Sequence, residues 1–221
     1  MTEHPTAKLV PSSPIARFHL LSSGAGPRTC SHVCVAFGRR LFIHGGKSTP
    51  DPSAKDVKND FWIYHLDENR WEEITDHHSP YLSQHCAQVS RDGARMFLIG
   101  GWNGHHRTYD VYSFVFETRT WEAWKTSGFP VGAGLSSFAV VPLASTTSSS
   151  VAETEELSLV LGREGGLRTQ RRSGNAFLLR SSVSGQSKKT RLLFAPLLLE
   201  EKAGLNGWKI FLGLSRIELL T

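Results

Sequence analysis

Histidine and cysteine are the residue types in this sequence whose chemistry would be easiest to recognise. There are ten histidines among 221 residues, and the adjacent pairs His77-His78 and His105-His106 could be taken as metal ligands. Neighbouring residues of a strand point to opposite faces, however, and no CxxC or HExxH motif fixes a coordination geometry. We therefore predict that the chain has no metal site and needs no cofactor.

The three cysteines do not suggest a reactive centre. Cys30 and Cys34 lie on one side of a strand but roughly 13 Å apart if it is extended, which is too far for a disulfide. Cys86 would need a cationic neighbour in a cleft to act as a nucleophile, and in a strand the adjacent His85 faces the other way. A buried thiol is the favoured interpretation. The sequence also has no paired carboxylates, G-x-S-x-G motif or phosphate-binding loop before a helix, so we predict no catalytic residues.

Charge and segment composition place the chain in a broad functional class. The formal net charge is +5, which suits an acidic partner without requiring nucleic acid. The basic segments 168–172 and 180–191 lack interleaved aromatic residues, so nucleic acid is not an expected partner. The N-terminus has no apolar signal-peptide core, and the apolar run Leu192–Leu199 is too short to cross a membrane. With the odd cysteine count, these features favour an intracellular protein, cytoplasmic or nuclear, without membrane contact.

An internal repeat dominates the organisation of the chain. One segment begins at Pro27 and a second at Pro80, and only the loop after a double glycine changes length between them. Matched positions are 50 to 55 residues apart: Pro27 with Pro80, His32 with His85, Gly45-Gly46 with Gly100-Gly101, Tyr64 with Phe114, and Trp71 with Trp121. Five landmarks in the same order indicate two copies of one structural unit. The recurrence of His32 and His85 favours a structural role for them on the first strand of each unit.

Each unit is predicted to form four short antiparallel strands. Segments rich in β-branched and aromatic residues alternate with tight-turn residues, which is typical of strands joined by short loops. In the first unit the predicted strands are Ser31–Phe37, Arg40–His44, Phe61–Leu66 and Trp71–Thr75. The double glycine is expected to adopt positive φ and to approach a neighbouring unit closely. Tyr64 and the tryptophan seven positions after it flank a turn, so we expect these two side chains to meet on adjacent strands.

A double glycine followed by an aromatic residue and then a tryptophan, at a period near 50 residues, resembles the kelch motif, whose units form the blades of a β-propeller. The motif residues in this chain are Gly45, Gly46, Tyr64, Trp71, Gly100, Gly101, Phe114 and Trp121. The segments Trp121–Trp124, Ala133–Ser137 and Gly162–Arg172 are also similar to stretches of one member of that family. The resemblance implies an all-β fold of four-stranded antiparallel blades and a protein-binding function.

A third unit is recognisable but degenerate. The tryptophan expected near residue 186 is missing, and the double glycine is replaced by a longer glycine-containing segment, Gly162–Gly166. A Ser/Thr-rich insertion, Ala144–Glu156, is predicted to form a hairpin tip. The three predicted strands of this unit are Leu135–Val141, Leu157–Leu161 and Asn175–Arg180.

The count of units predicts an incomplete propeller. Phe18 lies nine residues before Pro27, the spacing that each motif tryptophan has to the next proline, so residues 16–21 are interpreted as an orphan fourth strand. Two full blades, one degenerate blade and one orphan strand are fewer than the roughly four to eight blades that close a propeller. The predicted layout is a flexible N-terminus over 1–15, a partial kelch propeller over 16–180 with blades at about 27–75, 80–126 and 130–180, and a non-kelch tail over 181–221.

Antiparallel order predicts which loops share a rim of the propeller. The connection into each first strand and the loop after each second strand lie on one rim, and the tight turns lie on the other. Cations outnumber acids on the first rim, where the candidate partner-binding residues are Arg28, Lys47, Lys55, Lys58, Arg107, Arg168, Arg171 and Arg172. Kelch proteins often bind proteins at this rim, so the resemblance implies a non-enzymatic interaction module. The excess of arginine and lysine favours an acidic protein segment as the partner.

Three alternatives stay open at this point. Some kelch proteins are oxidases or epimerases, although the sequence has no recognisable counterpart of their catalytic residues. An incomplete propeller exposes blade faces and strand edges, which favours self-association. The chain could also be a truncated isoform, a fragment without a function of its own.

Overall fold

All secondary-structure elements that the structure describes are β-strands. The computed structural model describes residues 26–51, 56–128, 133–143, 154–166, 171–184, 187–195, 198–201, 208–212 and 215–218. Sixteen strands lie within these ranges, so the predicted all-β class is confirmed. No helix in the same ranges could cross a membrane. The predicted orphan strand over 16–21 lies outside the described residues.

The first unit forms a four-stranded antiparallel sheet whose strands follow the order of the chain. Its strands are β1 (Val33–Phe37), β2 (Arg40–His44), β3 (Phe61–His65) and β4 (Arg70–Ile74). Every boundary lies within two residues of the predicted one. Tyr64 and Trp71 lie directly opposite each other on β3 and β4, with ring centroids 4.7 Å apart. The predicted aromatic pairing across the turn is confirmed.

The second unit repeats this arrangement and is covered on both faces. Its strands are β5 (Cys86–Val89), β6 (Arg95–Trp102), β7 (Arg107–Val115) and β8 (Thr120–Ser127). Phe114 is opposite Trp121, with ring centroids 5.2 Å apart. The centre of β6 is a continuous apolar run, Met96–Ile99, because alternate residues face different neighbouring sheets.

Two hydrophobic cores lie between the sheets. The core between the first and second sheets consists of Phe42, Phe61, Ile63, Leu82, Met96, Leu98 and Phe114. The core between the second and third units consists of Phe97, Ile99, Tyr109, Val111, Trp124, Leu135, Val160, Phe177 and Leu179. The side chains of Gln88 and Ser158 exchange hydrogen bonds of 2.8 and 3.1 Å across the second boundary. Each sheet therefore buries its apolar faces against its neighbours, as stacked blades must.

The third unit differs most from its prediction. Its strands are β9 (Ala133–Leu135), β10 (Ala139–Leu143), β11 (Thr154–Gly166), β12 (Arg171–Ser184) and β13 (Ser187–Ala195). The single first strand predicted over Leu135–Val141 is wrong, because the chain turns at Ser137 with a φ of 52° and divides into β9 and β10. β12 continues to Ser184, past residue 181 where the non-kelch tail is predicted to begin, but the domain limits themselves stay a prediction.

Beyond β12 the chain adds further strands. β13 pairs antiparallel with β12 and also parallel with β8 over three residues, so the strands of the second and third units form one nine-stranded sheet. A separate three-stranded antiparallel sheet contains β14 (Leu198–Glu201), β15 (Trp208–Leu212) and β16 (Ser215–Glu218). At the other side of the blades, β1 contacts β5, and β5 contacts β10. The first strands are therefore neighbours, as in blades that surround a common axis.

The double glycine of the first unit makes room for the second unit. Both double glycines have the predicted positive φ: 67° and 99° for Gly45 and Gly46, and 59° and 104° for Gly100 and Gly101. A Cβ at Gly45 would collide with the carbonyl oxygen of Leu82 and lie 3.1 Å from Cε1 of His85. Such a contact leaves no space for any side chain, so glycine is required here for packing as well as for its backbone conformation.

The same contact recurs one blade further on. A Cβ at Gly100 would lie 3.0 Å from the carbonyl oxygen of Leu135 and 3.2 Å from the ring of Phe138. Leu135 and Phe138 follow Leu82 and His85 by 53 residues in each case. The first glycine of one blade therefore faces a leucine carbonyl and a ring from the next blade at both described boundaries.

A chain of backbone hydrogen bonds links the connections that lead into the first strands. Ser31, Gln84 and Ser137 are spaced 53 residues apart and have φ values of 56°, 54° and 52°. The Gln84 amide donates to the Ser31 carbonyl at 2.9 Å, and the Ser137 amide donates to the Gln84 carbonyl at 2.8 Å. Three non-glycine residues thus adopt the left-handed conformation at equivalent places, and the hydrogen bonds that they make stabilise it.

Candidate functional site

The loops that carry the predicted partner-binding residues meet on one rim, which we call the double-glycine rim. It is formed by the connections into the first strands and by the loops after the second strands. Within each of the first two blades these segments are joined by a ladder pair: Cys30 with Lys47, and Ser83 with Trp102. Between the blades, the Gly46 amide donates to the Leu82 carbonyl at 2.8 Å. The described parts of these loops therefore lie together, whereas residues 52–55 and 167–170 lie outside the described residues.

A ribbon of short strand segments continues this rim from the second unit to the third. β9 pairs with the start of β7 on one side and with the end of β11 on the other, and β11 pairs with the start of β12. The directly opposed residues are Thr108, Leu135, Glu164 and Arg171, in that order across the ribbon. Next to these residues, Arg163 is opposite Arg172 in the ladder, and Arg107, which precedes Thr108, contacts Ser136, which follows Leu135. We call this second set the arginine row.

Arg107 is held in place at one end of the row. Its Nε donates a hydrogen bond of 2.9 Å to Oγ of Ser136, which is fully buried. Its guanidinium carbon lies 5.6 Å from the ring centroid of Trp102, the residue opposite it on β6, within the range of a cation–π contact. Burial and then the charge of Arg163 lower the pKa of the Arg107 guanidinium. Arg107 is therefore a fixed, half-buried cation that lies close to a second one.

The other end of the row places two arginines directly opposite each other. Arg163 is exposed and pairs in register with Arg172 on β12. Like charges at directly opposed positions destabilise a sheet. Within residues 102–108, 133–137, 162–166 and 171–173, Glu164 is the only acidic residue. The ribbon therefore contains more basic than acidic residues, on strands whose backbone register is fixed.

The remaining predicted partner-binding residues are spread around this ribbon or outside the described residues. Arg28 is exposed, and Lys58 forms an ion pair with Asp60 at 3.2 Å. Lys47 departs from the expectation of an accessible rim cation, because only 6% of its surface is exposed. Its backbone pairs with Cys30 on one side and with Val57 on the other, which draws the residue into the rim. The two predicted residues that lie outside the described ranges are Lys55 and Arg168.

Sequence reasoning missed Arg163 and Ser136. Arg163 belongs to a glycine-containing segment that obscures its register, because β11 has an irregularity between Leu161 and Arg163. A signal was nevertheless present, since Ser136 follows Ser83 by 53 residues and Ser83 follows Cys30 by the same interval. In the first two blades this position pairs with the residue after the double glycine, and Glu164 occupies the equivalent place in the third unit, so the period marks Ser136 as a rim position but does not indicate Arg163.

A buried pair of histidines lies beneath the rim, between the first and second sheets. Nδ1 of His44 is 3.0 Å from Nε2 of His85, and Nε2 of His44 is 3.1 Å from Oγ of Ser79. The Ser79 hydroxyl donates to the Asn59 carbonyl at 2.8 Å. His85 is thus structural, as predicted, whereas His32 is exposed and precedes β1. The two residues do not share one environment, because His32 lies at the end of the described stack and His85 lies between two blades.

The hydrogen bonds of this pair define its tautomers. The Ser79 hydroxyl donates its only proton to the Asn59 carbonyl, so its oxygen can only accept a hydrogen bond from His44. Nε2 of His44 must therefore carry a proton. Nδ1 of His44 is then an acceptor, and Nε2 of His85 must be the donor. Nδ1 of His85 is left as a buried lone pair that makes no hydrogen bond within the described part of the chain. Both rings are therefore neutral.

Acidification should destabilise the fold through these two histidines. Burial, and after it the charge of His85, lowers the pKa of His44, while the Pro80 carbonyl has a smaller opposing effect. Burial, and after it the charge of His32, lowers the pKa of His85 to about 3. The unfolded chain has histidine pKa values near 6.5, so it binds more protons below that pH. Stability should be constant above about pH 7 and fall by up to about 2.7 kcal/mol per pH unit below 6, as two groups titrate.

Urea unfolding at pH 7.5, 6 and 5 measures this slope before the carboxylates titrate. In a His85→Phe variant, which copies the ring found at Phe138, the slope should fall to about half because only His44 remains. A wild-type stability that is flat between pH 7 and 5 would show that the rings are not buried in their neutral form.

The cysteines and the remaining histidines form no second site in the described part of the chain. Cys30, Cys34 and Cys86 are free thiols. Cys86 is half-buried rather than fully buried, and its burial raises the pKa of the thiol. Among the described residues there is no group of three or more histidine, cysteine, aspartate or glutamate side chains that could hold a metal ion.

Comparisons with known proteins agree with the repeat and with the stacked sheets. The family model described as the KLHDC2/KLHL20/DRC7 Kelch-repeats domain matches residues 16–144. Kelch domain-containing protein 9 of Homo sapiens is 30% identical over 175 residues, which are 79% of this chain and 45% of that protein. The Mus musculus protein of the same name is 31% identical over 168 residues, 76% of this chain and 43% of that protein. The chain thus spans less than half the length of these relatives.

A comparison of folds gives the same architecture. The solved structure of YjhT superimposes with a TM-score of 0.54 and covers 90% of this chain and 63% of that one. The two sequences are 14% identical in the superposition, so the likeness concerns the fold alone.

Proposed function

This chain belongs to the kelch-repeat family, and from that premise we propose that it is a non-enzymatic protein-interaction module whose double-glycine rim binds an acidic protein segment. The observation that carries the proposal is the arginine row. It places Arg163 opposite Arg172 on adjacent strands, with Arg171 next to Arg172 and with Arg107 near enough to Arg163 to be affected by its charge. Kelch-repeat domains generally mediate protein–protein interaction, and the row supplies the charge that an acidic partner requires.

Arginine suits this role better than lysine would. The guanidinium is planar, keeps its charge and presents donors in a fork that matches a carboxylate in bidentate geometry. Arg107 is already ordered by Ser136 and by the ring of Trp102, so less conformational entropy is lost when it binds a ligand. Placement on strands rather than on a loose loop also keeps the spacing of the cations fixed.

Charge reversal in the row should weaken binding of an acidic segment. For a fluorescein-labelled hexaglutamate peptide, Arg163→Glu should raise the dissociation constant at least about tenfold, because a hydrogen bond to a charged group contributes roughly 1.5–3 kcal/mol. The substitution also replaces a like-charge pair with an ion pair opposite Arg172, so the variant should fold at least as well as the wild type. Fluorescence anisotropy at low and moderate salt measures the affinity.

The matched control is Arg91→Glu. Arg91 is an exposed arginine in the tight turn between β5 and β6, on the opposite rim of the second blade. This variant has the same net charge as Arg163→Glu. Its dissociation constant for the peptide should lie within about twofold of the value expected when the net charge is the only change from the wild type. Equal losses in the two variants would mean that only overall charge matters and that the rim has no specific role.

The alternatives predict different results. A kelch-type oxidase would contain copper after purification from copper-supplemented cells, and an epimerase would convert a substrate without a protein partner. A fragment without function would be degraded rapidly when isolated, and self-association through blade faces would appear as a concentration-dependent mass. The interaction module proposed here requires none of these outcomes.

A further inference from the structure

All exposed histidines in the described part of the chain lie on the double-glycine rim. His32 is in the connection into β1, His77 and His78 are in the connection from β4 to β5, and His105 and His106 are in the loop from β6 to β7. The other three described histidines are not exposed, since two are buried between blades and one is half-buried on β3. The tight turns of the opposite rim contain no histidine in the first two units. We call the exposed set the rim histidines.

The rim histidines are the main variable charge of the rim in the first two blades. The rim is formed there by residues 26–32, 45–60, 75–85 and 103–106. These segments contain four lysine or arginine residues and four aspartates, so their permanent formal charges cancel. Histidine is the side chain that ordinarily gains a proton between pH 8 and 5. Full protonation of the rim histidines would therefore add five positive charges to a part of the rim that is otherwise balanced.

His105 and His106 lie at the ribbon that carries the arginine row. They belong to the loop between Trp102 and Arg107, which are directly opposed on β6 and β7. The side-chain oxygen of Asn103 accepts hydrogen bonds from both of their backbone amides, at 3.0 and 2.9 Å, so the loop backbone is held while both rings are exposed. The loop has no acidic residue, and its charged neighbour in the chain is Arg107. Protonation of either ring would thus add to the positive charge of the ribbon.

The other rim histidines have different titratable neighbours. Nδ1 of His78 is 3.0 Å from a carboxylate oxygen of Asp76, which also accepts a hydrogen bond from the His78 amide. Asp76 can balance one of the two charges that His77 and His78 would gain, so this pair still becomes more positive. The neighbour of His32 is the buried His85, whose pKa of about 3 keeps it neutral between pH 8 and 6.

We propose that the double-glycine rim binds its acidic partner in a pH-dependent manner, with an affinity that rises as the rim histidines gain protons. This inference rests on the proposed function, because it adds regulation by pH to the same surface. A protonated imidazole is a cation with two donors, whereas the neutral ring has one donor and one acceptor. The carboxylates of a partner stay ionised between pH 8 and 6, so the charge that changes over this range belongs to the rim.

Calorimetric titration with an acetylated and amidated hexaglutamate peptide at pH 8, 7 and 6 tests the inference. The dissociation constant should fall at least about tenfold from pH 8 to pH 6, because several cations form at the binding surface. At pH 7, binding measured in two buffers of different ionisation enthalpy should show that the complex takes up protons. Circular dichroism at each pH checks that the fold is intact.

The test variant has glutamine at all five rim histidines, and the matched control is His65→Gln. The five sites are exposed, so the test variant should fold, and its affinity should change by less than about twofold between pH 8 and 6. His65 lies on β3 at the end next to a tight turn of the opposite rim, so the control should keep the pH dependence of the wild type.

The outcomes separate this inference from the broader proposal. Binding that does not change with pH but is still lost in Arg163→Glu would refute regulation by the rim histidines and leave the acidic-segment proposal intact. A pH dependence that survives in the glutamine variant would assign it to other groups and overturn the inference. If hexaglutamate binds at none of the three pH values, the proposed function itself is contradicted.

Discussion

Replacing Gly45 with alanine is expected to unfold the stack or to remove more than about 4 kcal/mol from its free energy of unfolding. Two penalties add at this position. The φ of 67° places a Cβ in the left-handed region, which costs roughly 1–2 kcal/mol. The new Cβ would also collide with the carbonyl oxygen of Leu82, a backbone atom that can move only if the second blade moves with it. Losses above about 4 kcal/mol are exceptional for point mutations and indicate such a mechanism.

Gly38 provides the matched control for this substitution. It has a similar φ of 59°, but nothing lies within 4 Å of a Cβ built there. Gly38→Ala should therefore cost only the conformational penalty of roughly 1–2 kcal/mol. Urea unfolding of the two variants separates strain from collision. Similar losses for both would mean that blade-to-blade contact at the double glycine does not limit stability.

Truncation of Phe61 to alanine is expected to cost about 3–5 kcal/mol, the range for large aromatic residues in a core. Phe61 is completely buried between the first and second sheets. Its ring centroid lies 4.6 Å from that of Phe114 and 5.2 Å from that of Trp121, so the residue connects the first blade to the aromatic motif of the second. Loss of the ring leaves a cavity at the boundary of two blades, where neither can relax without separating from the other.

The comparison for Phe61 is Leu66→Ala. Leu66 lies at the start of the turn between β3 and β4 and is 37% exposed. Its truncation should change the unfolding free energy by no more than about 0.5 kcal/mol, as is usual for surface sites. Thermal unfolding followed by far-UV circular dichroism provides both values. A small loss for Phe61→Ala, comparable to that of Leu66→Ala, would contradict the described packing of the first two blades.

The strands of the first two units could be predicted because local signals agreed with one another. Turn residues, aromatic residues and the double glycines all repeat at the same interval, and each pattern specifies the same four-stranded unit. The third unit lacks the tryptophan, and its strands extend well beyond the predicted ones. Its limits depend on long-range pairing: β13 is joined both to β12 and to β8, and no local pattern in Ser187–Ala195 indicates that contact.

The left-handed residues between blades were unpredictable for another reason. Ser31, Gln84 and Ser137 are not residue types that require a positive φ. They adopt it because the backbone hydrogen bonds between successive blades compensate for the local strain, and those bonds exist only in the assembled stack. Tertiary contact therefore determines the backbone conformation at these positions, and the 53-residue spacing becomes meaningful only after the structure is known.

The candidate site was predicted in outline and changed in detail. Antiparallel order was enough to assign the correct loops to the rim, because that rule depends only on the direction of the strands. It could not show that Lys47 is buried or that Arg163 pairs with Arg172, since both depend on the register of strand ends. A count of rim charges thus predicts a basic surface, and the ladder of β7, β9, β11 and β12 shows which backbone positions lie together.

Hydrogen–deuterium exchange with and without a saturating concentration of hexaglutamate peptide tests the central claim most directly, because it reports where an acidic segment binds. Exchange should slow in residues 102–108, 133–137 and 162–166, which form the ribbon that carries the arginine row. It should be unchanged in the tight turns of the opposite rim, residues 66–69, 91–94 and 116–119. Protection of those turns, or unchanged exchange in the ribbon while the peptide is bound, would contradict the account of the double-glycine rim as the partner-binding surface.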